Sequence, residues 1–369
     1  MTWRFHAFRL RGDGTETPIA WDLELGDVQL LHALNGAGGL DARVEPEILR
    51  MTSKGEPVFV PWSTAIYAEA SGQIRGAGIV TEISVDGPQL TIACTGFTGY
   101  LDGLPYTGEF RAIDVDPLDV ARKIWSTVQA QPGGNLGMHV ADTKSRVRIG
   151  AEANPTFTKT GSRNDGPYTL NWWSTDNLLQ EFEALATETP FEYRETHKWE
   201  GERVKHSLDL GAPTLGGRRN DLRFVVGENV LDQPRLSWGE DEYASEVIVM
   251  GAGEGRDMIR GVAQQQKRSR LRRPKVVKDS SIRSGKRATA LAEQELRMAT
   301  GDADFEEITV RNHPNAPLGS WQMGDEILVQ TEGDWHGSRV VWVRVLSDVI
   351  DPAQDRATIR VTRVERVTA

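Results

Sequence analysis

The segment from Ile308 to Thr331, ITVRNHPNAPLGSWQMGDEILVQT, constrains the fold more than any other part of the chain. It reads as a strand, a turn broken by Pro and Asn, an elbow at Gly324-Asp325, and a second strand. An Ala-rich amphipathic helix, Arg283 to Ala299, is predicted immediately before it. Glu295 falls within the apolar stripe of that helix, so it requires a partner or an edge position. Strand signals then dominate to the end. Val341, Val343 and Val345 line one face of a long strand, Asp351 to Asp355 turns the chain, and Ile359 and Val361 return it.

The first hundred residues carry the same period of two. Trp3 and Phe5 alternate with Arg4 and His6. Ile79, Ile83 and Val85 are expected on one face of a hairpin that turns at Asp86-Gly87-Pro88 and returns through Leu90, Ile92 and Cys94. Cys94 therefore reads as a small core hydrophobe. As the single cysteine, it also excludes an internal disulfide framework and a cysteine-based zinc site. The period becomes helical after Asp116-Pro117, a capping pair, with Leu118, Ala121, Trp125 and Val128 on one face. A second helix follows Ser174-Thr175-Asp176, with Leu178, Leu179, Phe182, Leu185 and Ala186 as its stripe and Pro190 as its stop. The fold class expected is mainly β with an α/β insertion over roughly 112–228. Residues 160–166 read as an exposed loop. At 369 residues, two or three domains are expected.

Composition narrows the function. No apolar run approaches the ~18 residues needed to span a bilayer, and the N-terminus has no apolar stretch of the secretory kind. The chain is expected to be made in a reducing cytoplasm. A net charge of −10 argues against general adhesion to nucleic acid.

The sharpest enzymatic signal is Glu246 to Gly255, a strand running into glycines in the manner of a dinucleotide fingerprint. The third glycine of that fingerprint is replaced by Arg256, and no parallel sheet is predicted, so a strand ending in a turn is the preferred reading. Lys267 to Arg287 holds ten Lys or Arg opposed only by Asp279. It contains no aromatic residue for base stacking. The preferred reading is a solvated patch, or one facing the acid-rich segments Glu181–Glu202 and Gly239–Glu246 of an identical subunit. The seven histidines are scattered, and neither a nucleophile elbow nor a P-loop is present. Carboxylate pairs for glycoside cleavage are built by folds rather than spacing, and nothing singles one out. Trp172 and Trp173, on adjacent strand positions, are expected to divide into one core ring and one interface or sugar-stacking ring. No catalytic, cofactor-binding or metal-ligating residue is nominated. The candidate subunit-interface residues are Lys267, Arg268, Arg270, Arg272, Arg273, Trp172 and Trp173.

Several segments resemble a known family. They are Leu90 to Leu101 (LTIACTGFTGYL), Leu178 to Tyr193 (LLQEFEALATETPFEY), Val247 to Gly253, Ala288 to Ala299, and His313 to Asp325. Together they look like the hub, or minor tail protein, of actinobacterial siphophages, which is similar to the baseplate hub of contractile-tailed phages. The resemblance implies two tube-like β-barrel domains at 1–110 and 230–369, an inserted α+β domain at 111–229, and a helix at 283–299 bracing the second barrel. It further implies a non-enzymatic homotrimer whose six barrels form a pseudo-sixfold ring. That ring would join the tail tube or distal tail ring to the tip and line the DNA channel. The implied partners are the chain itself, the distal tail or tail tube protein, the tape measure protein, and central tip or fibre proteins. Phage DNA would pass without specific binding, no cofactor is implied, and the location would be the virion. The long C-terminal extension that carries hydrolase or fibre modules in larger hubs is not seen. The alternatives are a receptor- or carbohydrate-binding tail protein and, more distantly, a carbohydrate-active enzyme.

Overall fold

A computed structural model describes residues 2–86, 89–150, 166–234, 243–265, 271–279, 282, 284–299, 306–332 and 338–364. The chain begins with β1 (Trp3–Leu10), β2 (Glu16–Ala20), β3 (Gly26–Ala33) and β4 (Gly39–Val44). After these come α1 (Pro46–Leu49), β5 (Thr52–Ser53), β6 (Glu56–Pro57), β7 (Thr64–Ala70), β8 (Gln73–Asp86), β9 (Gln89–Thr95) and β10 (Glu109–Ala112). The middle holds α2 (Pro117–Gln129), β11 (Met138–Val140), β12 (Tyr168–Asn171), α3 (Leu178–Glu188), β13 (Glu192–Glu200) and β14 (Arg203–Gly211). The last part holds β15 (Arg218–Val225), β16 (Glu246–Met250), β17 (Arg260–Gln264), β18 (Pro274–Lys278), α4 (Gly285–Met298), β19 (Glu307–Arg311), β20 (Glu326–Gln330), β21 (Val340–Asp351) and β22 (Arg356–Arg363). The fold is mainly β, as expected, and no helix among the described residues is long and apolar enough to cross a membrane.

Strands from both ends of the chain join in one 12-stranded sheet, ordered β15-β20-β21-β3-β4-β9-β8-β7-β1-β2, with β22 and β19 branching from β21. The branch point arises from the length of β21. Its first residues pair with β20 and its last with β3 on one side, while β22 runs along the other. One core accordingly contains Phe5, Leu30, Leu40 and Val80 from the front strands and Ile327, Val343, Ile350 and Ile359 from the back.

The β8–β9 hairpin departs from the predicted pattern at one point. Val80 faces Cys94, Glu82 faces Ala93 and Ile83 faces Ile92, so Thr81 is an extra residue in β8. A one-residue bulge exchanges the faces of everything beyond it. Val80 and Ile83 therefore meet the first core, whereas Ile79 turns to a second core beside Tyr67 and Phe97. Val85 is 67% exposed rather than packed with Ile79. The Thr81 hydroxyl donates to the Ala93 carbonyl at 3.0 Å, which occupies an acceptor next to the interrupted ladder. Cys94 is buried as predicted, and burial pushes its thiol up from the ordinary value. Gly87 and Pro88, the expected turn, lie outside the described residues, as does the predicted exposed loop up to residue 165.

The second core is built by the two predicted helices over the other face of β1, β7 and β8. Asp116 caps α2 by accepting from the Leu118 amide at 2.9 Å, with Pro117 in the first turn. Asn177, rather than the preceding Asp, caps α3 by accepting from Leu179 and Gln180. Phe182 of α3 meets Tyr193 of β13 edge to face at 4.7 Å.

A third, smaller core lies between α4 and the sheet β17-β16-β18. Ala288, Ala292 and Leu296 recur every four residues and face Val247, Val249 and Ala263. The alanines are small for a reason: a Cβ on Gly261 would lie 2.1 Å from the Ala288 carbonyl carbon, so helix and strand backbones touch there. Glu295 has the partner its position required, the Lys275 ammonium at 2.7 Å. The dinucleotide reading ends here. β16 continues into antiparallel β17, with Ile259 donating to Ala252, and no phosphate-binding helix opens at the glycines. Parallel pairs do occur, contrary to expectation, at β16–β18, β15–β20 and β11–β14.

If β21 ties the two ends together, truncating Ile350, which is fully buried, should destabilise the chain by about 2–5 kcal/mol. Urea unfolding of Ile350→Ala should then show front and back strands melting in one transition. A loss below about 1 kcal/mol would contradict a packed junction.

Candidate functional site

The nominated tryptophans lie in a turn, not a strand. β12 stops at Asn171, and the next residues fold back with Thr175 donating to the Asn171 carbonyl at 2.9 Å and Trp172 to Gly108 at 3.0 Å. Alternation ends with the strand. Both rings consequently point outward, 62% and 57% exposed, edge to face at 5.3 Å. The expected core ring is therefore corrected: neither Trp is core. The sequence reading passed over two further exposed tryptophans, Trp21, stacked on Trp199, and Trp62, beside Tyr100.

Of the basic candidates, Lys267, Arg268 and Arg270 lie outside the described residues. Arg272 pairs with Glu246 of the same chain, and the Arg273 backbone brackets Ser245, donating to its hydroxyl at 2.7 Å and accepting from its amide at 2.9 Å. Arg272 is thus engaged within its own chain, although its side chain stays 62% exposed.

The fold also assembles polar residues that the sequence scattered. β13 and β14 form a hairpin about a two-residue turn at Gly201 and Glu202, and His197 and His206 are equidistant from it. They are direct cross-strand partners with Nδ1 atoms 2.9 Å apart. One imidazole must present a lone pair there, so at least one of the two is neutral. His206 lies 3.6 Å from Glu16, which accepts from the Tyr67 hydroxyl at 2.5 Å. On the other side, Glu195 accepts from the Thr98 amide and hydroxyl, both at 2.8 Å. Burial pushes the His206 imidazole below its ordinary value, against the pull of Glu16. Burial also pushes the Glu195 carboxyl up, but His197 and Thr98 outweigh it and hold that carboxyl below the usual range.

This hairpin walls one side of a cleft of about 680 Å³. The other walls come from β3, the start of β8 and the loop before β20. His32 of β3 contacts Asp348 of β21 at 2.6 Å, and Trp321 donates to the same carboxylate at 2.7 Å. Burial opposes charge on His32, yet Asp348 prevails and raises it above the ordinary value. Arg194 bonds Asp209 and the Met323 carbonyl, and Arg219 bonds Asp325 and Asp221. Among the described residues no group of three or more His, Cys, Asp or Glu is placed to hold a metal ion.

No protein-family model matches the chain, and no curated protein is similar to it in sequence. Its fold is that of phage tail proteins. The 43 kDa tail protein of prophage MuSo2 from Shewanella oneidensis superposes with a TM-score of 0.58 at 16% identity, covering 98% of both chains. A tail protein from Neisseria meningitidis MC58 gives 0.54 at 15% identity, over 98% of this chain and 96% of the other. A prophage tail protein from Listeria monocytogenes EGD-e gives 0.55 at 10% identity, over 98% and 95%. The expected likeness to phage tail proteins is therefore present in the fold along nearly the whole chain.

The buried histidines give a pH dependence with a definite sign. The lowered folded value of His206 means that the unfolded chain binds more protons between 6.5 and that lowered value, so this contribution to stability is full above 6.5 and is lost as pH falls from 6.5 to the folded value. His6, also lowered by burial, acts in the same direction. His32 acts oppositely, its contribution being full below 6.5 and lost as pH rises through its raised value. Melting temperatures of His206→Gln between about pH 7 and 5.5 should fall less steeply than those of the parent, and those of His32→Gln more steeply. Unchanged slopes in both variants would refute the assignment.

Proposed function

We propose that the chain is a structural, non-enzymatic hub subunit of a phage tail tip, located in the virion. In this reading three copies form a ring that joins the tail tube or distal ring to the central tip and surrounds the DNA path. The carrying observation is the fold shared with tail proteins over 98% of this chain and 95–98% of theirs. Residues 1–110 and 230–369 would act as near-equivalent wedges, with 111–229 inserted between them. For the second wedge, a tube-like form is supported by the path after β15. Asn229 to Leu231 comes back against β19, with Leu231 donating to Thr309 at 2.8 Å and Arg311 to Asn229 at 2.9 Å. The net charge of −10 suits a lumen that repels phosphates and lets DNA slide. Its partners would be a second and third copy, the tail tube or distal tail protein, the tape measure protein, and tip or fibre proteins.

One observation favours a second reading. Trp172 and Trp173 are both exposed on one turn, a surface suited to stacking on a sugar ring in a receptor- or carbohydrate-binding tail protein. Imaging of purified protein and of intact tails separates the two. The hub reading expects threefold density around a channel at the tail tip, unchanged by Trp172→Ala/Trp173→Ala unless those rings lie at the subunit contact. A monomer that coats host envelopes by itself, and loses that binding with the same substitutions, would replace it with the receptor reading.

A further inference from the structure

The small sheet β17-β16-β18 is covered by α4 on one face only. Val247, Val249, Ala263 and Val277 turn toward the helix, so Ile248, Met250, Val262 and Val276 turn away from it. Ile248 is the register partner of Val262 on one side and of Val276 on the other, which draws an apolar row across the sheet. These residues join none of the three cores, and Val276 is 50% exposed. A sheet face that meets water ordinarily alternates to polar residues. A central strand that is apolar on both faces, as β16 is from Val247 to Met250, belongs between two layers. The sheet is one layer short. Next to the apolar row, Met250 lies between Arg260 and Lys278, and neither cation has an ion pair among the described residues. At the opposite end Glu246 is paired with Arg272. Beyond the strands lie Glu254, Arg256 and Asp257 in the turn, and Asp279, which already has a partner. The face itself is apolar in the middle and basic along one side.

We propose that a second copy of this chain covers that face with its Trp172–Trp173 turn. The inference rests on the reading of the chain as a ring subunit and assigns two of the surfaces that meet. Strands of five residues each give the face roughly 15 Å by 15 Å, on the order of 200 Å². A stable dimer takes about 800 Å² from each partner, so the face is too small to hold two copies face to face and fits one patch of a wider contact. A pair of tryptophan rings suits that size. Trp172 and Trp173 are 62% and 57% exposed and, among the described residues, make no ring contact except with each other. Trp21, by contrast, is stacked on Trp199, and Trp62 lies beside Tyr100. The charges match as well. The stretches around the turn, 102–110 and 171–180, hold Asp102, Glu109 and Asp176 and no Lys or Arg. Glu109 is the register partner of Asn171, next to Trp172, and Asp102 accepts from the Asn177 side chain at 2.8 Å. All three acids are exposed and have no ion pair among the described residues. An acidic aromatic turn on one copy thus meets a basic apolar face on the next. Two different patches joined head to tail close into a ring when the rotation allows, whereas a patch that meets itself stops at two copies.

Cross-linking of the full chain tests the contact, with Ser174→Cys in the turn and Val276→Cys on the sheet. Cys94 is buried and does not compete. Mild oxidation of an equal mixture should join one variant to the other, and each variant alone should give at least about tenfold less dimer in the same time. Adding Trp172→Ala/Trp173→Ala to the Ser174→Cys chain should slow joining by about tenfold. Lys278→Glu in the Val276→Cys chain should slow it by about three- to tenfold, and Asp176→Lys in the Ser174→Cys chain should restore it. Arg218→Gln, on an arginine paired with Glu326 elsewhere, should change nothing. If the double tryptophan variant does not fold, the charge exchange between Lys278 and Asp176 decides alone. Dimers in the proportions of random collision, or rates indifferent to these substitutions, would overturn the proposal. Intact tails separate it from the reading it rests on. Threefold density at the tip without the cross-link would overturn this contact and leave the hub, whereas the cross-link without threefold density would support the contact and overturn the hub.

Discussion

Strand β21 has more ladder than one neighbour can use. Val340 to Arg344 pairs with β20, Ser347 to Ile350 pairs with β3, and the register slips by one residue between Val345 and Ser347 along β22. A bulge at that position bends the strand and re-aims its later residues. It lets one strand belong to the back of the chain at one end and to the front at the other. The merged core is a consequence, because side chains on both stretches of β21 reach inward toward residues from each end of the sequence. The cleft is another. Asp348 and His32 are register partners across β21 and β3, and that pairing brings their side chains to 2.6 Å.

The insertion is attached to this frame by polar contacts as well as by its core. The Tyr193 amide donates to the Asn35 side chain at 2.8 Å, and the Asn35 amide donates back to Tyr193 at 3.0 Å. Trp199 donates to Glu69 at 3.0 Å, and the Arg344 guanidinium of β21 bonds Glu192 of β13. Such contacts between partly buried partners are stronger than fully exposed ones when complete and costly when broken.

The parts of this architecture that were legible in the sequence are those whose signals are local. Asp116-Pro117 announced α2 because cap and first turn are adjacent in the chain, and the alanine-rich apolar stripe announced α4 as an amphipathic helix. The strand Glu246–Met250 was legible too. Its antiparallel return through β17 was not, since a helix after glycines and a returning strand look alike until pairing is known. Thr81 gives no sign of being an extra residue, because a β-branched residue fits a strand with or without a bulge. Trp172 and Trp173 were misplaced for want of one fact, that the strand stops at Asn171. The His197–His206 pair could have been found from the hairpin centred on Gly201, where equidistant residues must face each other. The branch at β21 could not, because it depends on partners such as His32 and Asp348, which are 316 residues apart in sequence.

That branch is what permits front and back strands to act as parts of one body, and the hub reading builds on it. A cysteine pair placed at Ala33 and Ser347, register partners across β3 and β21, tests it most directly. Mild oxidation of the folded double variant should join the two positions rapidly and raise the melting temperature. A pair that closes only in denaturant, or closes while lowering stability, would contradict the shared sheet.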